Sequence, residues 1–185
     1  YHSYKGTVGK VADNLLKRDF NAEKPFEKIT TDVTQFNVCG EKVYLSPVLD
    51  LFNNEVISYS ISTSPNLEQI REMLNGLFKK LPAHATPIFH SDQGWQYQHA
   101  EYQRLLAEHN ITQSMSRKGN CMDNGAMENF FGRLKVEMFY GEKFESVNAF
   151  IDQLKKYIHY YNYERISLKL KGMSPVQYRT HSHAI

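Results

Sequence analysis

The run Glu27-Lys28-Ile29-Thr30-Thr31-Asp32-Val33-Thr34-Gln35-Phe36-Asn37 alternates and is rich in Thr and Val, the pattern of a β-strand. Successive strand side chains point to opposite faces. Thr30, Asp32 and Thr34 therefore share one face, and Ile29, Thr31 and Val33 the other. Cys39-Gly40 supplies a turn and Lys42 to Leu49 resumes as a strand, which together read as a hairpin. Asn53-Asn54 turns the chain into a third strand, Glu55 to Ser62. Ser64-Pro65-Asn66 with Glu68 opens a helix on which Leu67, Ile70, Leu74, Leu77 and Phe78 recur at helical spacing, and Pro82 ends it. Pro87 to His90 is a short buried strand, Ala100 to His109 a helix and Ile111 to Ser114 a last strand. A polar loop, Ser116 to Asp123, leads to helices over about 124–137 and 146–162. Three antiparallel strands followed by helix, strand, helix, strand and helices make an α/β layered plan.

At 185 residues with 41% apolar content, the chain can bury one substantial core. Residues 1–25 lack a sustained apolar period and read as a lead-in linker, with a short helix expected around Val8 to Leu16; the core is expected over 26–180. Two cysteines, Cys39 and Cys121, are too few for a disulfide framework. With no charged-then-apolar leader and no long apolar stretch, a cytoplasmic protein without a membrane partner is expected. A net charge of +2 is weak support for nucleic-acid binding, so basic residues must be well placed to matter.

Three carboxylates stand out: Asp32 in the alternating run, Asp92 just past the second apolar run, and Glu128 one turn into a helix, with thirty-five residues between Asp92 and Glu128. Acids that a fold brings together repel, and hard divalent cations such as Mg²⁺ are the usual way to keep several ionised at one spot. A metal-dependent phosphoryl-transfer site is the leading reading. His90 shares strand parity with Asp92, but a neutral histidine satisfied by backbone explains it as well, and it stays outside the catalytic set. Lys135 follows Glu128 by seven residues, which returns it to nearly the same helix face. Arg117, Lys118 and Asn120 could position DNA from the polar loop, and Trp95 beside Asp92 could stack on an extruded base.

With their flanking residues the acids resemble a known family. Four stretches carry the resemblance: Asn14-Leu15-Leu16-Lys17-Arg18-Asp19-Phe20 with Ile29 to Thr34; His90-Ser91-Asp92-Gln93-Gly94-Trp95-Gln96-Tyr97; Ser114 to Asn124 leading into Glu128-Asn129-Phe130-Phe131-Gly132-Arg133-Leu134-Lys135; and Tyr160-Tyr161-Asn162-Tyr163-Glu164-Arg165 with Met173-Ser174-Pro175. Together they are similar to the D,D-35-E core of insertion-sequence transposases and retroviral-type integrases. Ile29 and Gln93 depart from the Trp and Arg often found there.

The resemblance implies a ribonuclease-H-like fold with a mixed five-stranded sheet, three antiparallel strands then two parallel, flanked by helices. It implies Asp32, Asp92 and Glu128 as catalytic metal ligands for Mg²⁺ or Mn²⁺, two ions, with Lys135 on the terminal DNA. It also implies insertion-sequence ends and target DNA as partners and a homo-oligomer on DNA. The chain begins almost at the core, without the helix-turn-helix region such transposases use on terminal repeats, and reads as a fragment. Two alternatives stay open: a two-metal nuclease that performs no joining, and a DNA-binding or assembly module without chemistry of its own.

Overall fold

The computed structural model describes residues 9–117 and 121–182. Its sheet contains β1 (Lys28–Thr31), β2 (Thr34–Val38), β3 (Glu41–Asp50), β4 (Val56–Ser62), β5 (Ile88–Ser91) and β6 (Thr112–Met115). β3 pairs antiparallel with β1 and β2 along one edge and with β4 along the other, while β1 pairs parallel with β5 and β5 with β6. In space this gives five rows, β4, β3, β1 with β2, β5 and β6, the mixed sheet the sequence leads one to expect.

The row of β1 and β2 is split where a single strand was expected. β1 and β2 keep one register against β3, with Thr31 opposite Val48 and Thr34 opposite Leu45, so the gap falls opposite Ser46 and Pro47. Proline has no N–H to give a ladder. On the other side the Val33 N–H turns away to the Asp32 carboxylate at 2.7 Å, and the Pro47 carbonyl accepts from the Thr31 hydroxyl at 2.8 Å. The break therefore sits at Asp32.

The described residues also form the α-helices α1 (Leu67–Lys80), α2 (Ala100–Glu108), α3 (Gly125–Met138), α4 (Val147–Tyr163) and α5 (Pro175–Ser182). Ile29, Val48, Ile57 and Phe89 pack with Met73, Leu74, Leu77 and Leu106 of α1 and α2. Phe36, Leu45 and Val56 pack with Phe130, Leu134, Phe150 and Leu154 of α3 and α4. Burying each such side chain contributes about 1.5–3 kcal/mol, so both faces of the sheet are held. Local signals set the helix starts: Asn66 Oδ1 accepts from the Gln69 N–H and Ser146 Oγ from the Ala149 N–H. α5, which the apolar pattern did not reveal, is tied down by polar contacts. Arg179 forks onto Glu55 and the Asn53 amide donates to the Pro175 carbonyl.

The expected helix near Val8 to Leu16 is absent from residues 9–15, which run irregularly beside β6. Met115 N–H donates to the Asp13 carbonyl, Leu15 N–H to the Ser114 hydroxyl, and Leu16 is only 2% exposed. This part of the lead-in is docked on the core. Among the described residues no helix is long and apolar enough to cross a membrane.

Tyr102 is buried with its hydroxyl unpartnered among the described residues. A buried unsatisfied hydroxyl opposes folding. Tyr102→Phe should be neutral or stabilising by about 1 kcal/mol in urea unfolding, and a loss of that size would show a hydrogen bond there.

Candidate active site

Asp32 and Asp92 follow directly on β1 and β5, and the parallel register, Ile29 with Phe89 and Thr30 with His90, carried forward sets the two acids side by side. Strand ends of this kind are where α/β sheets expose ligand-binding groups. Asp32 accepts from the Val33 N–H and, at 3.4 Å, from the Asn124 side-chain amide. Burial, then the charge of Asp92, then that of Glu128, push its pKa up to about 7 against the pull of the two hydrogen bonds. Asp92 is also raised by burial, although the Gly94 N–H donates to its Oδ1 at 2.8 Å and works the other way. A Cβ on Gly94 would stand 2.9 Å from that oxygen and 2.6 Å from Gln96 Nε2, so a side chain there would displace the Asp92 carboxylate or the Gln96 amide. The two carboxylates titrate as a coupled pair.

Glu128 lies in the first turn of α3, exposed, with its charge felt at Asp32. Among the described residues no three acids, histidines or cysteines close up tightly enough to hold a metal ion. The structure brings Asp32 and Asp92 together and holds Glu128 within electrostatic reach. The aspartate pair suits a hard cation: half-buried oxygens at one spot retain protons in place of positive charge.

Asn124 escaped the sequence reading as a site residue. It is buried, its Oδ1 accepts from the Thr30 hydroxyl at 2.9 Å, and its amide reaches both the Thr31 carbonyl and Asp32 at 3.4 Å. Asp123 was read only as the end of the polar loop. Its side chain, 0% exposed, accepts from Asn14, from Arg18, and from the Arg117 main chain and guanidinium at 2.9–3.0 Å. Arg117 holds its pKa well below the carboxylate range, with help from the Arg117 N–H and Arg18. The only sequence signal was an Asp-Asn pair just ahead of a helix.

His90 is fully buried, with Nε2 donating to the Asp123 carbonyl at 2.9 Å and Nδ1 2.8 Å from the Ser114 hydroxyl. A carbonyl can only accept, which places the proton on Nε2. Burial pulls its pKa down, and the ring is neutral and structural. The Arg117 guanidinium is engaged by Asp123. Trp95 is 44% exposed in the loop after Asp92. Lys135 is half-buried, its Nζ 5.7 Å from the Phe36 ring centre on the face of the sheet that α3 covers. Lys118 and Asn120 lie outside the described residues.

A five-row mixed sheet with adjacent acids at the ends of parallel strands defines the class of integrase-type polynucleotidyl-transferase cores. Integrase core domain models match residues 22–121 and 128–182. The chain belongs to the integrase core domain family, in the form found in insertion-sequence transposases. It is 58% identical over 182 residues to an uncharacterized transposase-like protein of Haemophilus influenzae, covering 98% of this chain and 84% of that protein. It is 56% identical over 183 residues to the protein assigned as transposase of insertion sequence element IS150 of Escherichia coli (strain K12), covering 99% of this chain and 65% of that one. The HTLV-2 integrase catalytic core domain, solved in complex with magnesium, superposes with a TM-score of 0.63 at 17% identity, over 85% of this chain and 98% of that one. That likeness shows the fold.

The raised pKa of Asp32 makes its ionisation costly to the metal-free fold. The folded protein keeps this proton up to about pH 7, whereas the unfolded chain releases it near the ordinary 3.8, so stability falls as pH rises between those values. Each tenfold change in proton affinity is worth about 1.4 kcal/mol, part of which solvent screens at a partly exposed group. In chelator at pH 8, Asp32→Asn should therefore be more stable than the parent by on the order of 1–3 kcal/mol. Below pH 4 the two should unfold alike in denaturant, and an equal difference at both pH values would remove the charge explanation.

Proposed function

We propose that this chain is the catalytic core of an insertion-sequence transposase that cuts DNA at the element's ends and joins the freed 3′-hydroxyl to a target phosphodiester. Asp32, Asp92 and Glu128 hold Mg²⁺ or Mn²⁺, two ions in all. The observation that carries this reading is the pairing of Asp32 and Asp92 at the ends of adjacent parallel strands, each keeping its proton more tightly than an ordinary carboxylate. The transposase relatives and the magnesium bound to the HTLV-2 core support it.

Divalent cations at such a site supply the positive charge that an in-line phosphoryl displacement needs at its entering and leaving oxygens. The protein's own groups set the geometry. Val33 N–H and Asn124 orient the Asp32 carboxylate, and Gly94 N–H orients that of Asp92. No protein nucleophile is required, because water attacks in cleavage and a DNA 3′-hydroxyl attacks in joining. Lys135, its ammonium over the Phe36 ring, binds a phosphate of the terminal DNA. Trp95 stacks on a displaced base, and Lys118 and Asn120 contact DNA together with Arg117, whose side chain stays exposed while it bonds Asp123. Two ends are handled together, so the active form is a homo-oligomer on DNA, acting in the cytoplasm.

Asp32→Asn, Asp92→Asn and Glu128→Gln should each abolish cleavage and joining while leaving the fold intact, since each removes a charged ligand at similar volume. The assay uses a pre-cut element end with Mn²⁺, and near-normal joining by any one of them would refute that residue's place in the set. Lys135→Ala should weaken binding to DNA ends more than it slows chemistry at saturating DNA. The slope of log affinity against log salt should flatten by roughly one unit. An unchanged slope and affinity would mean that Lys135 makes no phosphate contact.

A further inference from the structure

The carboxylate of Asp123 is the most heavily bonded acid among the described residues, yet all its donors lie outside the candidate metal site. Its donors come from two directions: Asn14 and Arg18 in the lead-in, and Arg117 at the end of the strand extension beyond β6. Its main chain faces the other way, the carbonyl accepting from the His90 ring two residues before Asp92. The next residue, Asn124, hydrogen-bonds Thr30, Thr31 and Asp32. One turn later α3 presents Glu128. The start of α3 is thus clasped between the lead-in and the two acid-bearing strands. Asn124 lends α3 no side-chain cap, so these tertiary bonds set where the helix begins.

We propose that Asp123 is a positioning residue: it fastens residues 14–18 and Arg117 to the start of α3, and the seating of the lead-in thereby sets where Glu128 stands relative to Asp32 and Asp92. Asp123 touches neither metal nor DNA; it acts through the helix it anchors. The lead-in then does more than connect. Any pull on residues 14–18 is passed through one carboxylate to the third acid of the site. The inference rests on the reading of Glu128 as a metal ligand.

Groups that orient metal ligands change metal affinity by about 10–100-fold when removed. The test is Mn²⁺ titration of the full 185-residue chain, followed by calorimetry, with melting curves taken alongside. Asp123→Asn and Arg18→Ala should each raise the apparent dissociation constant for Mn²⁺ about tenfold in protein that circular dichroism shows to be folded. Arg18 is partly exposed, so its truncation leaves the core filled and keeps the test available if the Asp123 variant fails to fold. Glu128→Gln should weaken Mn²⁺ as well, and adding Asp123→Asn to it should produce no further loss, because both act on one ligand.

Wild-type Mn²⁺ affinity in Asp123→Asn or Arg18→Ala, even with a lowered melting temperature, would overturn the positioning role and leave Glu128 as a ligand. Additive losses in the double variant would overturn it in the same way. Wild-type affinity in Glu128→Gln would instead sink the metal-site reading, and this proposal with it.

Discussion

Main-chain pairing between two parallel strands is the constraint on which the site depends. The β1–β5 ladder sets Asp32 and Asp92 abreast although their charges oppose it, because the register is fixed by hydrogen bonds and by the packing of Ile29 and Phe89 beneath them. Repulsion between two partly buried carboxylates costs a few kcal/mol at most, while the two cores on either side of the sheet are many times larger. The fold therefore carries an unfavourable pair of charges without rearranging, and burial, together with the charge of Asp92, keeps a proton on Asp32. On the proposed reading, a bound cation would remove this cost.

The alternation from Glu27 to Asn37 and the helical spacing of Leu67, Ile70, Leu74 and Leu77 made the layered plan legible, because those patterns are local. The break at Asp32 was not, since it depends on Pro47 lying opposite, which only the register reveals. Residues 9–16 have no period of their own because their partner, β6, lies about a hundred positions away in sequence. The aspartate pair could be read from the chain, and the structure sets its two members side by side. Asp123 could not, because its donors sit at positions 14, 18 and 117. Nothing local in the polar loop shows that the Arg117 guanidinium bonds a buried carboxylate.

The stretch Tyr160 to Arg165 shows how a signature can be architectural. The Tyr161 hydroxyl donates to the Asn54 carbonyl, the Asn162 side chain takes both the N–H and the carbonyl of Val56, and Arg165 forks onto Glu137 of α3. Three polar groups tie α4 to the start of β4 and to the helix that bears Glu128. Their value lies in holding α3 against the sheet at the end far from Asp123.

The same contacts govern what happens at the borders of the sheet. β4 and β6 are its outermost rows, and an open row of N–H and carbonyl groups is a template on which another chain can lay a strand. Here Asn162 occupies the main-chain groups of Val56 on one border, and Asp13 and Leu15 sit against Met115 and Ser114 on the other. At those positions an incoming strand finds its bonding partners taken. Strand addition at those positions is thereby blocked, and a second sheet cannot extend either border there.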